Sequence, residues 1–174
     1  THILNLGTAG GPFTAHSGTT SDPITATNIS VTQQNENGAA NIIPVRIGSY
    51  VYYVERSGRV VGQFSYNLDS DSYITENNTY LSDHILGDGA IEIAVQHYPY
   101  NILWAIKSGG QMATMTREQK QNVLGWTRQV FTGTNVEVER IAFIPNGVED
   151  QGWVCVKRTI DGNTRRYIEI FDNQ

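Results

Sequence analysis

Three segments of this chain repeat one pattern: a strand-like apolar run, a glycine turn, and a second strand-like run. They are residues 51–61 (VYYVERSGRVV), 102–112 (ILWAIKSGGQM) and 153–165 (WVCVKRTIDGNTR). Their turn glycines, at 58, 109 and 162, stand 51 and 53 positions apart. A period of this size marks small antiparallel sheets that cannot hide both faces alone and must stack on the next unit. The spacing therefore predicts an all-β chain, a partial β-propeller-like array of about three antiparallel blades. A β-sandwich that happens to be repetitive is the alternative. Three units are fewer than the roughly four to eight blades that close a propeller, which makes the array a partial one.

Within that frame the chain divides into four stretches. Residues 1–23 read as a remnant strand followed by a flexible loop, because 7–23 is dominated by Gly, Ser, Thr and Pro. Residues 24–88, 89–134 and 135–174 read as the first, second and third β units. In the first unit, Pro44 belongs at an edge or at a strand entry, since it has no N–H to give to a ladder. The run Tyr80-Leu81-Ser82-Asp83-His84-Ile85-Leu86 suits one or two helical turns closed by Gly87. In the second unit, Ile91, Ile93 and Val95 alternate with Glu92 and Gln96, predicting apolar residues inward and polar ones outward. The polar run 116–122 has no apolar face and reads as a loop or wide hairpin. Asp161-Gly162 in the third unit is a strong two-residue hairpin signal.

The surface chemistry this implies is polar but weakly charged. Only 17% of residues are charged, and the formal net charge is −5. Ordinary globular domains carry about 25% charged residues. Gripping a phosphate backbone takes concentrated positive charge, and no basic run is longer than Arg165-Arg166, so specific nucleic-acid binding is not expected. No apolar stretch approaches the ~18 residues of a membrane-spanning helix. The single cysteine, Cys155, excludes an internal disulfide and a thiolate-rich zinc site, and it sits where a small buried hydrophobe is expected. The chain begins with Thr1, which reads as a processed chain or a piece of a longer one.

Few residues suggest chemistry. His2, His16, His84 and His97 are scattered, and the acidic residues Asp69, Asp71, Glu76, Asp83 and Asp88 lack the ordered donors of a calcium loop. Asp83-His84 has no nucleophile in a strained turn beside it. No catalytic residue, cofactor or metal is expected, and the chain does not read as an enzyme. Contact surfaces are the better candidates. Tyr98-Pro99-Tyr100 occupies a turn that should expose at least one ring, to a neighbouring subunit or to a sugar. Arg56 and Arg128 follow apolar strand positions and suit clamping a neighbouring loop or subunit. Trp126, with Trp104 and Trp153, suits core or unit-to-unit packing, with an aromatic platform for sugar as the alternative. Tyr98, Tyr100, Arg56, Arg128 and Trp126 are thus the candidate interface or ligand contacts.

The order of several short segments carries a resemblance. It runs through 25–31 (TATNISV), 37–48 (NGAANIIPVRIG), 51–59 (VYYVERSGR) and 64–73 (FSYNLDSDSY). It continues with 81–85 (LSDHI), Tyr98-Pro99, Ile102-Leu103-Trp104, 125–128 (GWTR), 144–147 (IPNG) and 166–169 (RYIE). Together these resemble a tail protein of short-tailed and related bacteriophages and prophages, across about residues 24–171. The resemblance implies a module of a larger tail-tube, nozzle or head-to-tail stabilisation subunit. It further implies a homo-oligomeric ring around the DNA exit channel, other tail subunits as partners, and a place in the virion after assembly in the host cytoplasm. This chain is much shorter than a complete subunit of that family. The alternative function is a carbohydrate-recognition module of a phage tail or cell-surface protein, with a surface glycan as partner.

Overall fold

A computed structural model describes residues 3–19 and 22–171. Its strands pair only with their chain neighbours, so each sheet is an antiparallel meander. The first sheet holds β1 (Ile3–Thr8), β2 (Gly11–Ser17) and β3 (Ile29–Gln33). The second holds β4 (Val45–Ile47), β5 (Tyr50–Val54), β6 (Val61–Asn67) and β7 (Ser72–Asn77). In the third are β8 (Ala90–Gln96), β9 (Ile102–Lys107), β10 (Met112–Glu118) and β11 (Val123–Gln129). The fourth is β12 (Glu137–Asn146), β13 (Glu149–Ile160) and β14 (Asn163–Ile170). Short 3-10 turns at Tyr80–Leu86 and Gln119–Gln121 complete the chain.

This corrects the expected architecture. The chain is all-β, but the described residues form four separate antiparallel sheets, none closed into a barrel or propeller. It is neither a partial propeller-like array of three blades nor a two-sheet sandwich. The unit that the repeat did not show is the first sheet. Part of the stretch expected to be loop over 7–23 forms β2, which pairs with both β1 and β3. Its β2–β3 link is the long segment 18–28 rather than a glycine hairpin, so it leaves no mark at the repeat period. The three glycine turns do share a place, each joining the second and third strands of its sheet. At the last of them Asp161 and Gly162 both take positive φ, 50° and 75°, as a tight primed hairpin turn requires.

Two apolar clusters fill the spaces between the last three sheets. Tyr52, Val54 and Val61 of the second sheet meet Ile93, Leu103, Ala105 and Met115 of the third, with Ile85 and Leu86 of the 3-10 turn beneath them. Trp104, Ile106 and Met112, from the other face of the third sheet, meet Val138, Ile141, Val154 and Val156 of the fourth. Successive β9 residues therefore point into different clusters, as the two-residue period of a strand dictates. That is why Leu103-Trp104-Ala105-Ile106 is buried without interruption. The sheet is covered on both sides, and its strands read as continuous apolar runs.

The alternation expected for β8 is partly inverted. A bulge between Ala90 and Glu92 leaves Ile91 exposed, while Gln96 is almost fully buried. Gln96 tolerates burial because its Oε1 accepts from Trp104 Nε1 at 3.3 Å and its Nε2 donates to the Tyr98 carbonyl at 3.1 Å. The run 116–122 is strand as far as Glu118, then a single 3-10 turn.

Candidate functional site

Tyr98 and Tyr100 stand on the connection from β8 to β9, 64% and 72% exposed. The Tyr98–Pro99 peptide is cis. What holds this turn is Asp150, near the start of β13 and only 4% exposed. Its Oδ2 accepts from the backbone N–H of His97 at 2.6 Å and of Tyr98 at 3.1 Å. The Asp150 N–H donates in return to the Tyr98 carbonyl at 3.1 Å. A buried carboxylate is tolerable only when donors meet it, and two backbone amides do so here. The third sheet's turn is thereby fixed to the fourth sheet. Beside it lies a cleft of about 590 Å³ lined by Val95, His97, Tyr98, Phe143, Val148, Glu149 and Asp150, among others.

Asp150 escaped sequence reading. It sits in Val148-Glu149-Asp150-Gln151, where nothing separates a buried anchor from a solvated turn carboxylate. Only the β12–β13 register, which sets Asp150 opposite Pro145, carries it beneath the Tyr98 turn.

The other candidates fall elsewhere. Arg56 is exposed at the β5–β6 turn, its Nη1 donating to the Ala9 carbonyl at 3.2 Å. It clamps the β1–β2 turn and helps line a cleft of about 690 Å³ between the first and second sheets. Trp126 packs partly buried against the first apolar cluster, and its Nε1 donates to the Asn78 carbonyl at 2.8 Å. Arg128 is exposed on β11, opposite Ala113, and its side chain makes no hydrogen bond or ion pair with another described residue. The five residues are thus not one site: Tyr98 and Tyr100 share a turn, and Arg56, Trp126 and Arg128 are apart from it.

Several acidic and basic side chains are paired across strands. Arg158 holds Glu169 through two contacts of 2.7 Å, and Arg166 holds Glu139 through contacts of 2.8 and 3.0 Å. Each arginine keeps its partner's carboxyl below the usual carboxylate range. Arg166 thus balances Glu139. Lys107 pairs with Asp88, and Arg117 with Glu76. Asp83 and His84 are 4.0 Å apart on an exposed 3-10 turn. Cys155 is half-buried rather than buried, with Sγ 3.9 Å from Glu139 Oε2. Among the described residues no three His, Cys, Asp or Glu side chains gather as a metal site. No helix there is long and apolar enough to cross a membrane. His2 lies outside the described residues.

The outer strands present a different kind of surface. Every residue of β3 is exposed, and so is every residue of β14 except Glu169. Ile29 and Val31 on β3, and Ile168 and Ile170 on β14, carry the apolar part, Ile168 being 75% exposed. No protein-family model matches the chain, and no curated protein matches it.

Proposed function

We propose that this chain is a structural module of a bacteriophage tail-tube, nozzle or head-to-tail connecting subunit, working by packing against neighbouring subunits. The observation that carries the packing role is the pair of exposed edge strands, β3 in the first sheet and β14 in the fourth. Exposed edge strands are templates for association, and β3 carries no charge or proline to blunt it, while on β14 the exposed Ile168 and Ile170 lie among Arg165, Arg166 and Glu169. The tail setting rests on the ordered segments between residues 24 and 171, and on a surface too poor in positive charge to hold passing DNA. Association through two different ends of one module is head-to-tail, and closes into a ring when the rotation between copies permits.

Sedimentation of the purified chain over a concentration series tests this. Reversible association is expected, weakened by Ile168→Lys, with no binding to duplex DNA at low salt. Ile168 is exposed, so its replacement leaves the fold intact. A species that stays monomeric up to its solubility limit, or association indifferent to Ile168→Lys and Val31→Lys alike, would overturn the packing role.

A further inference from the structure

We propose that the cleft beside Tyr98 binds a ring of a neutral carbohydrate. Three properties converge there. The first is a flat aromatic body presented to solvent. Tyr98 lines the cleft while remaining largely exposed, and Tyr100 follows it on the same turn. The C–H face of a pyranose is apolar and lies well on such a ring, and tyrosine keeps a hydroxyl for the sugar's own. Phe143 on the cleft lining is set by the indole of Trp104, 5.7 Å between ring centroids.

The second is hydrogen-bonding capacity at the cleft wall. Asp150 uses Oδ2 for the two backbone amides, and its Oδ1 accepts no hydrogen bond from any described residue. Glu149 adds an exposed carboxylate, and the His97 ring lies 3.2 Å from Asn101 Oδ1. Carboxylate oxygens and an imidazole suit the paired donors and acceptors of adjacent sugar hydroxyls.

The third is rigidity. The turn is held by Asp150 from one side and by Gln96 Nε2 on the Tyr98 carbonyl from the other. A platform already ordered loses little entropy on binding a weak ligand. Charge then narrows the class. The lining contains Glu149 and Asp150 but no Lys or Arg, so a phosphate, nucleotide or acidic sugar meets repulsion. A neutral ring does not. The site is independent of the proposed packing ends, since none of these residues belongs to β3 or β14.

The test is amide NMR of the labelled chain titrated with maltohexaose, cellohexaose, mannohexaose and galactohexaose. At least one is expected to shift His97, Tyr98, Val148 and Glu149 together. Tyr98→Ala should weaken that binding at least tenfold and Tyr98→Phe much less. Tyr80→Ala, altering an exposed tyrosine elsewhere, should leave it unchanged. Absence of shifts with all four sugars, or binding equally strong in Tyr98→Ala, would overturn the proposal.

Discussion

The first junction of this molecule and the two that follow it are built from different materials. Between the second, third and fourth sheets lie continuous apolar clusters, with Leu103, Ile106 and Val156 fully buried. Neither cluster includes a residue of the first sheet. That sheet is tied to the second by hydrogen bonds that run largely through the link from β3 to β4. Ala39 N–H donates to the Thr8 carbonyl at 2.8 Å, Arg56 N–H to the Gly38 carbonyl at 2.6 Å, and Tyr73 N–H to Gln34 Oε1 at 3.3 Å. Asn35 also donates to the Thr75 hydroxyl. In the middle the apolar lining opens into the 690 Å³ cleft instead of closing as core. A typical hydrogen bond contributes about 1 kcal/mol net, whereas burying one large aliphatic side chain contributes about 1.5–3 kcal/mol. The first sheet is therefore the weakly held member of the series.

The sharpest way to break this contrast is a matched pair of truncations. Leu103→Ala, in the packed junction, is expected to cost about 3 kcal/mol, as such cavities do in close-packed cores. Leu6→Ala, which only edges the open cleft, should cost less than about 1 kcal/mol. Urea denaturation followed by far-UV circular dichroism, which reports every sheet, measures both, and equal losses would erase the distinction.

Two glycines separate the junctions in another way. A Cβ on Gly110 would lie 2.6 Å from Glu137 Cα, and its φ of +75° already disfavours any side chain. One on Gly38 would lie 2.0 Å from the Ala9 carbonyl oxygen. Overpacking of this kind typically costs about 1–3 kcal/mol. Gly110→Ala should lower the melting temperature of the whole molecule. Gly38→Ala should mainly speed proteolysis within the first sheet, leaving the main transition nearly in place.

Smaller effects follow from pH. Burial pushes the Tyr52 hydroxyl, bonded to Gln63 Oε1 at 3.0 Å in the second sheet, from 10.0 up to about 12. A pKa raised by folding stabilises the fold fully below the unfolded value, and that contribution disappears as pH climbs from 10 to 12. Tyr52→Phe should lessen this alkaline loss without abolishing it, since Tyr53 is raised by burial as well. Glu139 and Glu169 behave oppositely, their pKa values being lowered by Arg166 and Arg158. Their contribution is present above the ordinary carboxylate value and fades as pH falls below it. Solvent screens both pairs, so Glu169→Gln should flatten the acid limb only slightly. Melting temperature across the pH range checks both limbs.

What could be read from the chain follows where physics is local. Hairpin chemistry at Asp161-Gly162, the strand entry after Pro44 and the turn at Tyr98-Pro99 each depend on a few neighbouring residues, and each is visible in them. The first sheet was hidden because Gly11 and Pro12 look like loop residues, yet they begin a strand paired on both sides. Burial of Gln96 and exposure of Ile91 depend on a bulge and on hydrogen bonds to the Trp104 indole and the Tyr98 carbonyl, which no alternation pattern encodes. Asp150 is the extreme case, since its role exists only once two sheets meet. Trp126 illustrates the reverse, its aromatic signal being absorbed by the core.

Native-state hydrogen exchange, resolved by strand, tests the account most directly. The first sheet is expected to open as its own unit, with β2 amides exchanging at clearly lower free energy than those of β9, β10 and β13. A single opening free energy shared by β2 and the central strands would contradict it, since the first junction would then be as firmly built as the other two.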